Sequence, residues 1–155
     1  MGDKMGTTDL LNSLKQQEKN LREFLEAILR KQKAIVNSDL EALETALHEE
    51  EKLLGSIQSV ENKRINLLKD LNEVYSPENK SVKLSDFLNS GGQYLEENFS
   101  LNARKVQDNI RNLIEYINRV NFQNKVLIDN AREIIKLTFA EIVASQKKSL
   151  LDKRV

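Results

Sequence analysis

The most regular apolar pattern in the chain runs from Phe99 to Ile134, FSLNARKVQDNIRNLIEYINRVNFQNKVLIDNAREI. Its apolar residues recur in steps of three and four, the spacing of one face of an α-helix. The two lines of that face are Phe99, Val106, Leu113, Val120, Leu127 and Ile134, and Ala103, Ile110, Ile117, Asn124, Ala131 and Thr138. The pattern predicts one long helix from near Gln93 to at least Val143.

Two features of this helix bear on what it packs against. A flanking row of Ile114, Ile128, Ile135 and Ile142 widens the apolar face, so we expect contact with two neighbouring helices. Asn124 lies on a core line, where a polar residue costs stability but specifies register and partner number. A half-exposed Asn124 is the alternative that the sequence leaves open.

A first helix is expected over about Thr8 to Val36, because large apolar residues recur every seven positions at Leu14, Leu21, Ile28 and Ile35. Residues 1–7 lack the apolar core of a secretion signal. We expect them to lie outside the fold, as a disordered segment or a remnant of cloning.

A second helix follows after a very short break, which favours an antiparallel hairpin. Ser38 and Glu41 have the spacing of a capping box, which predicts the helix start, and Pro77 forbids the helix from continuing beyond about Tyr75. Two heptad lines are expected to face the core. They are Leu40, Leu47, Leu54 and Leu68, and Leu43, Ile57 and Leu71.

The connection over residues 76–92 breaks the helical pattern. Ser85 can cap a short helix there, and Gly91 with Gly92 would end it. The predicted fold class is therefore all-α. We expect a single domain over residues 1–155, an antiparallel bundle of three long helices with a short extra helix in the 76–92 connection and an extended C-terminal helix.

The predicted helix lengths do not match. The first two helices would be about 45 and 55 Å long and the last about 80 Å, so the last helix runs out of partners after about Ala131. Residues 134–155 then form a helical extension whose apolar stripe usually indicates a partner. A helix that bends back, or a second copy of the chain, is the alternative. The predicted partner-binding residues are Ile134, Ile135, Phe139, Ile142, Val143, Leu150 and Leu151.

Composition excludes several classes of function. The 24 basic and 24 acidic residues balance, so no net field draws the chain to nucleic acid. Apolar runs never exceed three residues, so we expect no membrane insertion. The absence of cysteine and the single histidine, His48, remove thiolate chemistry and a two-histidine di-metal centre. We therefore expect no enzymatic activity, no metal and no cofactor.

Charge is distributed unevenly along the chain. Residues 39–51 contain no Lys or Arg, whereas the tail carries Lys147, Lys148, Lys153 and Arg154. Solvation and complementarity to the helix dipoles explain this most simply. An up, down, up path would place both segments at the same end of the bundle. Contact of the acidic stretch with a basic partner, or with the tail itself, therefore stays open.

The chain resembles the FlgN-type flagellar export chaperones over nearly its whole length. Glu61 and Arg64 have the three-residue spacing of an ion pair on one face of a helix. The resemblance itself includes the order of the helices and the Asp-Leu helix start with its acidic turn within residues 38–71. It also includes an Arg beside a Leu-Leu pair and two Asn residues before a Leu-Ile step. These positions are Arg64, Leu67, Leu68, Asn121, Asn124, Leu127 and Ile128.

The resemblance implies a cytoplasmic chaperone that binds the helical termini of hook-associated proteins at the hook-filament junction. Such a chaperone holds its client monomeric until the type III export apparatus takes it. In this family the C-terminal helical part contacts the client, which agrees with the stripe within residues 134–151. The alternative function is a structural coiled-coil scaffold that self-associates through the same stripe, so a homo-oligomer stays open.

Overall fold

The computed structural model describes the backbone of residues 2–91 and 95–154 and the side chains of residues 6–91 and 95–152. These residues form four helices and no strand, which confirms the all-α prediction. The helices are α1 (Gly2–Val36), α2 (Leu40–Tyr75), α3 (Leu84–Gly91) and α4 (Glu97–Arg154). The helix α1 includes residues 2–7, which the sequence had placed outside the fold.

The central element is α1, which packs along both α2 and α4, whereas α2 and α4 approach each other at few positions. Arg30 pairs with Glu49, and Gln17 donates a hydrogen bond to the carbonyl of Ile57, so α1 and α2 are antiparallel. Contacts of the N-terminal part of α1 with the N-terminal part of α4 make these two helices parallel. The α4 helix was expected to contact two neighbouring helices, and in the structure it packs mainly along α1, while α2 joins it only in the core clusters.

Two clusters of buried side chains form the core. The lower cluster joins all four helices and consists of Leu10, Leu14, Leu68, Leu71, Leu84, Phe87, Leu88, Phe99, Ala103 and Val106. The upper cluster joins α1 to α4 and consists of Leu21, Phe24, Ile28, Ile117 and Val120, with half-buried Leu53 and Ile57 of α2 packed against it. The larger of the two clusters thus lies where α3 closes the lower end of the bundle.

The turn between α1 and α2 does not contain the predicted capping box of Ser38 and Glu41. Ser38 has a φ of 52°, and the amide N–H groups of Ser38 and Asp39 donate to the carbonyls of Ile35 and Ala34. This is the left-handed ending of a helix, so Ser38 belongs to the end of α1. Asp39, with extended backbone, caps α2 instead, and its carboxylate accepts from the amide of Ala42 at 3.0 Å.

The burial of the leucine line of α2 also differs from the prediction. Leu40, Leu47 and Leu54 are exposed, whereas Leu68 on the same line is fully buried. A seven-residue repeat drifts by about 20° per heptad around a straight α-helix, so the line turns by about 80° between Leu40 and Leu68. The lower half of the line therefore reaches the core, and the upper half faces solvent.

The connection between α2 and α3 is held by polar side chains of α2. Arg64 donates one hydrogen bond to the carbonyl of Val82 and another to Glu61, both at 2.9 Å. The buried Asn72 donates to the carbonyl of Ser81 at 2.9 Å. The ion pair predicted between Glu61 and Arg64 is confirmed, and it orients the guanidinium toward the connection.

The boundaries near the short helix also differ from the prediction. The helix α3 begins at Leu84, so Ser85 lies inside its first turn and does not cap it. The long helix α4 begins at Glu97 rather than near Gln93. Gly92 and Gln93 themselves lie outside the described residues.

Ser38→Gly should raise the free energy of unfolding by about 1 kcal/mol, because glycine adopts a positive φ without the clash that a side chain suffers. Ser38→Val should lower it by a similar or larger amount, since a β-branched residue fits that conformation worst. Urea unfolding of both variants measures the difference. An unchanged or lower stability of Ser38→Gly would contradict the assignment of Ser38 to the end of α1.

Glu61 should make stability depend on pH. The hydrogen bond from Arg64, reinforced by its positive charge, lowers the pKa of Glu61 against the opposing effect of partial burial. A lowered folded-state pKa stabilises the fold above the ordinary carboxyl range, and this stabilisation is lost as the pH falls through the folded-state value. The difference in unfolding free energy between the wild type and Glu61→Gln should therefore be largest at neutral pH and vanish in acid.

An Arg64→Met background provides the control for this measurement, because it removes the group that lowers the pKa of Glu61. In that background Glu61 should no longer stabilise the fold at neutral pH, and its effect should be absent or reversed, because only the burial that raises its pKa remains. A profile that persists without Arg64 would contradict the stated cause.

Candidate protein-binding surface

The surface begins where α4 leaves the bundle. Asn124 of α4 donates to the carbonyl of Ile28 in α1 at 3.1 Å, and Gln32 donates to Gln123 at 3.0 Å. Because the two helices are parallel, the end of α1 at Val36 comes level with about residue 132 of α4. The remaining 22 or so residues of α4 extend about 33 Å beyond the hairpin of α1 and α2.

Side-chain burial ends at the same level. From Asp129 to Asp152 every side chain is exposed except that of Val143, which is half buried. The other six predicted partner-binding residues are exposed in the chain alone: Ile134, Ile135, Phe139, Ile142, Leu150 and Leu151. The α4 helix itself is continuous through this segment.

The seven predicted residues do not form one flat surface. At about 100° per residue, Ile135 and Ile142 lie on the same face as the buried Asn124, with Phe139 beside them. Val143 and Leu150 flank this face on one side, and Ile134 flanks it on the other. Leu151 lies on the opposite side of the helix. A single helix that packs along the core-facing side of α4 would therefore contact Ile135, Phe139 and Ile142 most directly.

Sequence reasoning missed an apolar patch on the outer side of α4. Phe122 and Val126 are exposed beside Leu127 and form a shallow groove with Gln32 of α1. The signal was present in the sequence, because Phe122 lies off both core lines of the long helix. A large aromatic residue at such a position indicates exposed apolar surface.

The exit of α4 from the bundle is marked by a polar layer. Asn124 is only 2% exposed, so the half-exposed alternative is wrong. Its side-chain oxygen has no hydrogen-bond partner among the described residues. A cleft at this level is lined by Asn121, Arg132 and the ion pair of Lys31 with Glu50, whose charged atoms are 3.2 Å apart.

The described residues contain neither a candidate membrane span nor a cluster of metal ligands. Across residues 2–91 and 95–154 no helix is long and apolar enough to cross a membrane. In the same part of the chain no three His, Asp or Glu side chains are grouped so that they could hold a metal ion. The solitary His48 is exposed and lies 3.9 Å from Glu44.

The fold is thus a helical bundle from which one helix, α4, projects far beyond the other helices. The sequence model of the FlgN protein family matches residues 1–151, and the chain belongs to this family. The FlgN family consists of flagellar export chaperones and is not known for enzymatic activity. No curated protein and no solved structure matched the chain.

Asn124→Leu should raise the free energy of unfolding by about 1 kcal/mol, because it removes a buried oxygen without a partner and adds apolar contact. Asn118→Leu is the matched control, since Asn118 is exposed on the same helix, and its effect should be close to zero. Urea unfolding measures both. A clear loss of stability in Asn124→Leu would show that the hydrogen bond to Ile28 outweighs the cost of the buried amide.

Proposed function

We propose that this protein is a cytoplasmic chaperone that binds the helical termini of hook-associated proteins before their export through the type III apparatus. The observation that carries the proposal is the projecting part of α4, whose apolar residues are exposed beyond the end of α1. Family membership supports a flagellar client. The chemistry of the surface supports a helix as the bound element, since its apolar residues repeat at helical spacing.

The bundle suggests how a client helix would lie. Along its lower part, the inner face of α4 packs against α1, and Ile135 and Ile142 continue that face after α1 has ended at Val36. A client helix would occupy the place beyond the end of α1 and take over its role as packing partner. The client helix would thus cover the apolar face of α4 that α1 leaves exposed.

Apolar burial supplies the affinity in this arrangement. Burying one large aliphatic or aromatic side chain contributes about 1.5–3 kcal/mol before the costs of association are subtracted. Burial of Ile135, Phe139 and Ile142 would together contribute about 5–9 kcal/mol before those costs, which limits the affinity and keeps the complex reversible. Reversibility suits a chaperone, because the export apparatus has to receive the client without any covalent step.

The same contact accounts for holding the client monomeric. A terminal helix that assembles with its own kind through an apolar face cannot do so while that face lies against α4. The projecting helix also lacks the tertiary packing that provides most helical stability in proteins. Client binding would therefore order both partners together, which couples recognition to helix formation.

Phe139→Asp combined with Ile142→Asp should abolish capture of a client helix and leave thermal unfolding of the bundle within a few degrees of the wild type. Both side chains are exposed, so the bundle loses no contact, while a docked helix would bury two carboxylates. The binding partners for the test are the terminal helical segments of the hook-associated proteins from the same organism. Calorimetry should show an affinity at least about 100-fold lower, which corresponds to about 2.7 kcal/mol.

Leu137→Asp is the matched control. Leu137 is 57% exposed, close to the 66% of Phe139, but it points away from the core-facing side of α4. This variant should bind the client like the wild type. Equal loss of binding in both variants would show that acidic residues disturb α4 generally. A large drop in melting temperature would show that the stripe belongs to the core.

A further inference from the structure

The upper half of α2 carries an exposed seam that the proposed function does not use. Leu40, Glu44, Leu47, Glu51 and Leu54 follow one another in steps of four and three, so they lie along one side of the helix. All five side chains are exposed. We call these residues the acidic seam, because leucine alternates with glutamate along it.

The tail of α4 carries a seam of the same spacing and the opposite charge. Val143, Lys147 and Leu150 also follow in steps of four and three, and the sequence places Arg154 at the next step. Lys147 and Leu150 are exposed, and Val143 is half buried. We call these four positions the basic seam. Each seam has the pattern of a coiled coil in which one apolar and one charged position alternate.

The charged residues of the two seams have few partners within the described part of the chain. Glu51 and Lys147 form no ion pair there, and Glu44 approaches only His48, at 3.9 Å. The two seams do not meet in one molecule, because α4 runs away from the hairpin. Val143 lies about 16 Å beyond the level of Val36, whereas the acidic seam runs back along α2.

We propose that the acidic seam of one chain receives the basic seam of a second copy in a two-fold symmetric dimer. A two-fold axis across the projecting part of α4 reverses the direction of the second copy's tail. Since α2 is antiparallel to α4, that tail runs parallel to α2. Parallel seams in register place Val143 against Leu40, Lys147 against Glu44, Leu150 against Leu47 and Arg154 against Glu51.

The physical roles of the two kinds of position differ. The apolar pairs provide the affinity. Because the dimer is two-fold symmetric, each contact occurs twice. This doubling brings the buried surface area toward the ~1,200–2,000 Å² of a specific interface. The opposite charges specify the partner and its direction, because sliding the tail by half a repeat would oppose leucine with lysine. Two acidic seams cannot pair in this way, because their charges repel, and the same holds for two basic seams.

The dimer has a consequence for the chaperone, which rests on the proposed function. Val143 and Leu150 belong both to the basic seam and to the predicted client-binding residues. A tail seated on the second copy therefore cannot bind a client through the same side chains. The dimer would be the client-free form, in which two chains cover part of each other's apolar surface until a client displaces them.

Sedimentation equilibrium of the full chain over a range of concentrations tests this inference. The wild type should shift from one to two chains as the concentration rises. One charge-reversed variant, Glu44→Lys with Glu51→Lys, has two basic seams, and the other, Lys147→Glu with Arg154→Glu, has two acidic seams. Each variant alone should dimerise at least about 10-fold more weakly, and an equimolar mixture of the two should form a heterodimer of wild-type affinity.

Glu115→Lys with Glu133→Lys is the matched control, since both residues are exposed, lie outside the seams and produce the same change of net charge. This variant should dimerise like the wild type. A wild type that stays monomeric up to millimolar concentration, or a mixture that fails to pair, would overturn the dimer. Client binding by calorimetry is a separate readout. A monomer that binds clients overturns only the dimer, and a dimer that binds none overturns only the proposed function.

Discussion

The length of α1 limits how much of the bundle can be covered. Because α1 lies between α2 and α4, it supplies most of the surface against which α4 packs. Burial along α4 ends near Ile128, about one turn before the level at which α1 ends at Val36. The projecting helix, its exposed stripe and the polar layer at its base all follow from this one boundary.

Within the bundle, α1 is unusually polar for a central helix. Ser13, Gln17 and Asn20 are buried on it, and each has a side-chain atom without a hydrogen-bond partner among the described residues. Such atoms lower the stability of a small bundle by a kcal/mol or more each. They also restrict how the helices can slide, since Gln17 reaches the carbonyl of Ile57 and Asn124 reaches that of Ile28 only in one register.

The two ends of the molecule therefore have different characters. At the lower end, α3 closes an apolar cluster around Phe87, and Arg64 and Asn72 hold the connection that leads to it. At the upper end, α4 projects beyond the hairpin of α1 and α2, and leucines of α2 and isoleucines of α4 remain in solvent. A closed end that maintains the fold and an open end that offers apolar surface are what the proposed helix-binding function requires.

Sequence alone determined the elements of this protein. The heptad repeats and Pro77 located the long helices, the pairing of Glu61 with Arg64 followed from local spacing, and the position where α4 loses its partners was predicted at Ala131. These features depend on neighbours within a few residues or on helix length, and both can be read from a single chain. The family was likewise recognisable from the sequence.

Only the tertiary structure decided which faces are covered. The leucines at positions 40, 47 and 54 looked like core residues, yet the drift of a heptad line around α2 and the central place of α1 leave them exposed. Ser38 was predicted to cap α2, yet it belongs to the left-handed ending of α1. Burial depends on how whole helices are placed against one another, and that placement is decided by packing over the entire bundle rather than by the spacing within any one helix.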